Sequence, residues 1–111
     1  MRFYRDGLGL DVLGSFDDHD GFDGVMLGRV GAPYHLELTH QRGHVVGRAP
    51  TTDHLLVFYV PDEVAWSAAI DRMKAHGHAP VTSTNPYWDR AGATFEDPDG
   101  YRVVLQNAAW P

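Results

Sequence analysis

Apolar side chains along the chain fall into two periods. Alternating or short apolar runs at 10–16, 24–30, 34–39, 54–60, 91–96 and 101–106 are separated by clusters of Gly, Pro and Asp, which is the signature of half-buried strands joined by tight turns. One segment keeps helical spacing instead. EVAWSAAIDRMKAH places Trp66, Ile70 and Met73 on one face, with Asp62 suited to cap its start and Gly77 to end it. A shorter helical remnant, RFYRD, precedes LGL at the amino end.

The chain also repeats itself. An offset of 68 places Gly9 on Gly77, Gly24 on Gly92 and Leu27 on Phe95; after the next turn the offset becomes 67, placing Leu36 on Val103 and Leu38 on Leu105. The slip falls where GRVGAP is one residue longer than EDPDG, in a hairpin, where length changes are tolerated. Each unit reads helix, strand, strand, strand, and the second has an extra strand, HLLVFYV, before its helix. This predicts an α+β chain of two modules, 1–40 and 53–111, joined by a linker at 41–52.

Composition narrows the chemistry. With 111 residues the chain supports one ordinary hydrophobic core rather than several. No cysteine is present, so disulfides, thiolate metal sites and a thiol nucleophile are excluded, and any metal must be held by nitrogen and oxygen. A net charge of -6 with scattered Lys and Arg offers no basic stripe to a phosphate backbone, which argues against nucleic acid as partner. No apolar run is long enough to span a bilayer and no signal-like segment opens the sequence, so a cytoplasmic protein is expected.

FYRDGLGL at 3–10, HLEL at 35–38, DHLLVFYV at 53–60 and FEDPDGYRVVL at 95–105 resemble the vicinal oxygen chelate superfamily, which includes glyoxalases, extradiol dioxygenases and bleomycin or fosfomycin resistance proteins. The resemblance covers essentially the whole chain. It implies two βαβββ modules whose curved mixed sheet forms a cup around a ligand, with flanking helices, and four metal-ligand positions on the first and last strands of the modules. By that pattern the first strand of the first module would lie upstream of Met1. Association into a homodimer, or a strand from a second copy, is then expected to cover the edge.

Strand alternation sets which side chains line the cup. In the first module His35, Glu37 and Thr39 are expected to face it, with Tyr34, Leu36 and Leu38 toward the core; in 54–60, His54, Leu56 and Phe58 are expected on the cup side. Glu37 and His54 match two of the resemblance's ligand positions, for a divalent metal such as Zn, Fe, Mn, Ni or Mg. The third position is Val104, which cannot ligate, and its neighbours Arg102 and Gln106 do not replace a carboxylate, so the metal site is incomplete in this chain. Duller readings stand beside these. Glu37 also suits a solvated carboxylate paired with Arg102, and His54 a histidine bonded to a backbone carbonyl.

Two further motifs lose their chemical appeal. DDHDGFDG at 17–24 has Phe22 and Asp23 where a calcium loop needs a ligand and a glycine, so it reads as an acidic hairpin tip. DPDG at 97–100 is turn chemistry. NPYWDR at 85–90 places Tyr87 and Trp88 in a mouth loop suited to stacking on a flat ligand. Two functions follow. One is metal-dependent lyase, isomerase or dioxygenase chemistry in which Glu37 ligates or takes a proton. The other is metal-free sequestration of a small molecule, with His35, Phe58, Tyr87, Trp88, Arg102 and Val104 as lining residues.

Overall fold

Turn chemistry fixes where the strands stop. In the first half, β1 (Asp11–His19) and β2 (Phe22–Gly28) join through Asp20 and Gly21, whose φ values are 51° and 89°. Two successive positive φ angles match the right-handed twist of a two-residue hairpin, and Asp-Gly is the pair that tolerates them. The acidic stretch is therefore a hairpin tip. Asp23 steadies it, accepting the Asp18 backbone N–H at 2.9 Å and Arg42 Nη2 at 2.8 Å. β3 (His35–Gln41) pairs with β2 antiparallel, giving a sheet of order β1-β2-β3.

The computed structural model describes residues 2–110, and the chain divides into two compact units between residues 46 and 47. The RFYRD remnant forms a π-helical segment, Arg2–Gly7, that buries Phe3 and Tyr4 with their rings edge to face at 4.9 Å. Leu27 of β2 is fully buried and lies opposite Leu36 of β3. Tyr34, expected to point toward the core, precedes β3 and is largely exposed.

In the second unit β4 (Leu55–Tyr59) leads to helix α1 (Glu63–Ala75). Asp62 caps the helix as its position predicts, accepting the Ala65 N–H at 2.8 Å. At the far end Gly77 N–H bonds Lys74 O and His78 N–H bonds Met73 O, the paired closure that ends a helix on glycine. Ile70 and Met73 are buried, and Trp66 donates its indole N–H to Leu105 O at 2.8 Å. A short helix α2 (Tyr87–Arg90) replaces the expected loop at NPYWDR. β5 (Gly92–Glu96) and β6 (Arg102–Gln106) complete a mixed sheet of order β4-β6-β5, with β4 parallel and β5 antiparallel to β6. After α1, the strand that the module pattern predicts first is reduced to a single bridge between Val81 and Thr94.

DPDG closes the β5–β6 hairpin. Asp97 O accepts from Gly100 N–H, and its carboxylate accepts from the N–H groups of Asp99 and Tyr101. Arg48 braces this turn from outside, donating to Pro98 O at 3.1 Å and Glu96 Oε1 at 2.8 Å, while Ala49 N–H bonds Asp99 O at 2.7 Å. No helix among the described residues is long and apolar enough to cross a membrane.

Two outcomes test this account. Asp62→Ala removes the side-chain acceptor at the helix start and should cost about 1 kcal/mol, seen as a lower urea midpoint with unchanged slope. The Arg42 guanidinium, with the Asp18 N–H, holds the Asp23 carboxyl below the usual carboxylate range. A depressed carboxyl stabilises the folded state above its unfolded pKa, and that stabilisation fades as pH falls through the folded value. In Arg42→Met the Asp23 titration, followed by carboxyl-detected NMR, should move up; an unmoved curve would contradict the ion pair.

Candidate functional site

The first unit presents one sheet face built on β1, β2 and β3. Paired residues in an antiparallel ladder share a face, so His35, Glu37 and Thr39 lie with their partners Gly28, Met26 and Gly24, and with Gly14 and Phe16 of β1. A Cβ at Gly24 would come within 2.2 Å of the Phe16 ring, so glycine there lets the ring lie flat on the strand. His35 Nε2 and Glu37 Oε2 approach to 3.9 Å, and both side chains are about half exposed, at 49% and 48%. Thus His35 and Glu37 are brought together, as alternation predicts.

The equivalent face of the second unit follows from its own ladders. Leu55, Val57 and Tyr59 pair with Arg102, Val104 and Gln106, which pair in turn with Glu96, Thr94 and Gly92. Met26↔Glu37 and Thr94↔Val104 are matching pairs, as are Leu27↔Leu36 and Phe95↔Val103, and Gly24↔Thr39 and Gly92↔Gln106. The 68 and 67 offsets read from the sequence therefore recur in the hydrogen-bond register. Val104, with 0% exposure, fills in its unit the place that Glu37 fills in the other.

One expectation fails. Leu56 and Phe58 do not share a face with Val104: they pair with Val103 and Leu105, while Val57 pairs with Val104. Alternation within one strand says which residues go together but not how their phase relates to the neighbouring strand; the parallel ladder sets that phase one residue later than counted. His54 lies just before β4. Its carbonyl accepts the Arg102 N–H at 3.1 Å and its ring meets Tyr101 edge to face at 5.8 Å. Leu55, not His54, is in step with Val104.

Arg102 is committed. Only 12% of its side chain is exposed, and it contacts Glu96 Oε2 through Nε and Nη2, both at 3.2 Å, with Nη1 donating to Thr82 O at 3.3 Å. Glu96, shared with Arg48, is thus its partner, rather than the Glu37 that the sequence suggested. Beside this ion pair, Thr94 Oγ1 and Gln106 Oε1 are buried with no hydrogen-bond partner. Thr94, Glu96 and Arg48 were missed as site residues by sequence reasoning. The repeat offset would have found Thr94 as the counterpart of Met26, whereas nothing local marks Arg48.

Aromatic rings edge the second unit. Tyr87 and Trp88 pack at 5.0 Å, nearly perpendicular, with Tyr87 half exposed. Trp110, 74% exposed, packs on Tyr59 at 5.5 Å.

A divalent metal, which the resemblance implies, does not fit the second unit's face. The last-strand ligand place and its β4 partner, Val104 and Val57, have no lone pairs to donate, and the one carboxylate of this face, Glu96, is already held by Arg48 and Arg102. Among the described residues no group of three or more His, Asp or Glu is placed to hold a metal ion.

Comparison with known proteins places this arrangement. Residues 1–39 match the YycE-like N-terminal domain and residues 53–107 the YycE-like C-terminal domain. The uncharacterised protein YycE of Bacillus subtilis is 47% identical over 108 residues, covering 97% of this chain and 78% of its own. The chain belongs to the YycE-like family. A crystal structure of a Bacillus subtilis YycE protein of unknown function, described with glyoxalase and fosfomycin resistance proteins, superposes with a TM-score of 0.89 at 46% identity, covering 99% of this chain and 80% of that one. Glyoxalase I of Leishmania major, at 24% identity and a TM-score of 0.71 over 96% of this chain and 75% of that one, shares the fold. So does the fosfomycin resistance protein FosX of Mesorhizobium loti, at 10% and 0.61 over 97% and 79%. This YycE-like chain therefore has the vicinal oxygen chelate fold.

Val104→Glu would restore the carboxylate that the repeat places at Glu37. With the site fully buried and no cation free to receive it, the substitution should cost about 3 kcal/mol or more by chemical denaturation. Unchanged stability would mean that Val104 is accessible to solvent or to a counter-charge.

Proposed function

We propose that this YycE-like protein binds a small organic molecule directly, without a metal, against the partly exposed Val57 and Tyr59 of β4, with Val104 as the buried apolar neighbour behind them. The observation that supports this reading is the register: the second unit fills its last-strand ligand place with Val104, and the β4 residue paired with it is Val57. Both choices suit an apolar contact surface. Tyr87, Trp88 and Trp110 add rings for a flat ligand to stack on.

A second reading draws on the His35–Glu37 approach of 3.9 Å. There Glu37 acts as metal ligand or proton acceptor in lyase, isomerase or dioxygenase chemistry, with further donors required. Its weakness is the donor set, since one imidazole and one carboxylate fall short of the three protein ligands that a catalytic zinc-type site commonly uses.

Metal analysis by mass spectrometry on tag-free protein from medium supplemented with zinc and manganese separates the two. Well below one equivalent is expected. Tryptophan fluorescence quenching by a small-molecule panel should survive both EDTA and Glu37→Gln. Stoichiometric metal that is lost in Glu37→Gln would reverse the conclusion.

A further inference from the structure

β3 ends the first unit's sheet, whose order is β1-β2-β3, so its outer side has no neighbouring strand. Arg42 N–H donates to Gly21 O at 2.8 Å, one step beyond the Phe22↔Gln41 pair. Bonded and non-bonded pairs alternate along an antiparallel ladder, so Leu36, Leu38 and His40 turn their backbone groups toward β2, while His35, Glu37, Thr39 and Gln41 turn theirs outward. The second unit shows what such an edge takes. There the counterparts of His35 and Thr39 are bonded at the two ends of β4: Arg102 N–H donates to His54 O at 3.1 Å, and Gln106 O accepts the Val60 N–H at 2.8 Å. Among the described residues no strand does this for β3, and the backbone groups of His35, Glu37 and Thr39 that face outward have no partner. Every β3 residue except Leu36 is exposed, and Leu38 is 37% exposed where its counterpart Leu105 is 4%. Edge strands are usually blunted by bulges or proline. β1, the other edge of this sheet, is irregular at two places, whereas β3 pairs through seven consecutive residues without a break and contains no proline.

We infer that the outer edge of β3 is an interface for a second copy of this chain, with the two β3 strands antiparallel about a two-fold axis through Leu38. The strand is complementary to itself in this register. An axis at Glu37 would set two carboxylates directly opposite one another, a destabilising pair. An axis at Thr39 would carry His35 past the end of the partner strand, opposite residue 43. At Leu38 all seven residues overlap: His35 meets Gln41, Leu36 meets His40, Glu37 meets Thr39, and Leu38 meets its own copy. Glu37 and Thr39 then exchange their outward N–H and C=O groups across the axis, and the two leucines cover each other. Such a contact uses the same patch on both copies, so it closes as a dimer and leaves no β3 edge for further growth. It involves no residue of the ligand face of the second unit and stands independently of the metal-free reading above.

The absence of cysteine makes a single substitution a clean reporter. Leu38 and its copy form a non-hydrogen-bonded pair, with Cα atoms about 4.5 Å apart and so within reach of a disulfide. Under mild oxidation Leu38→Cys should give a disulfide-linked dimer about tenfold faster than Val30→Cys, whose site is 89% exposed but remote from the axis. Light scattering on the full chain should show a dimer that Leu38→Lys, by setting two ammonium groups on the axis, weakens about tenfold or more. Thr39→Pro removes one outward N–H, leaves the bonds to β2 in place and should weaken the dimer likewise, so the test survives misfolding of either variant. By hydrogen exchange, the Glu37 and Thr39 amides should be protected in the dimer and exchange freely on dilution. A chain that stays monomeric from micromolar to millimolar concentration, a dimer indifferent to both variants, cross-linking no faster than at residue 30, or protection of these amides in a monomer would each overturn the inference.

Discussion

The ladder between a unit's middle strand and its last strand is the constraint on which the rest of the structure depends. Side chains alternate with a period of two, so a one-residue slip between β5 and β6 would turn Thr94 and Glu96 away from Val104 and bring Phe95 to the same face. Both units solve the problem with the same pairs. Each also keeps a glycine at the same place, Gly24 and Gly92, and for related reasons. The Phe16 ring rests on the first; Gln106 Oε1 and Trp88 O crowd the second, where a Cβ would fall within 2.6 Å of both. Glycine at this spot is what allows bulk from one strand to settle over its neighbour.

Once register is set, electrostatics distinguishes the two faces. The first keeps an imidazole and a carboxylate at the surface, half exposed and open to protons or ligands. The second folds its charges into one buried-edge pair, Arg102 with Glu96, and surrounds them with Leu55, Val57 and Val104. The two units thus differ by the exchange of a hydrated carboxylate for an aliphatic side chain at one matching position, on the same backbone pairing. Loss of a charge at a buried place removes a desolvation cost, which makes such an exchange easy to tolerate.

Much of this architecture was legible in the sequence. Asp62, Gly77, the Asp20-Gly21 tip and DPDG act locally, through caps and turns whose geometry depends on a few neighbouring residues, and each behaves as its chemistry predicts. The 68 and 67 offsets made Val104 the counterpart of Glu37 before any strand was placed. What could not be read is relational. Phe58 was set beside Val104 because alternation within β4 leaves its phase against β6 undetermined. Arg102 was paired with Glu37 because the sequence does not say that Glu96 stands directly across the hairpin. Tyr87 and Trp88 were given to a loop because NPYWDR opens with proline-turn chemistry, and a single helical turn leaves no periodicity to detect.

Arg48 and Ala49 precede the segment matched by the C-terminal family domain, yet their bonds to Pro98, Glu96 and Asp99 make them part of the second unit. Anyone swapping halves between relatives, or any natural gene crossover that did so, would keep these bonds of that half only by cutting ahead of residue 48. A junction at residue 53 would graft a hairpin deprived of its outer clasp, and would leave Glu96 with a single guanidinium to hold.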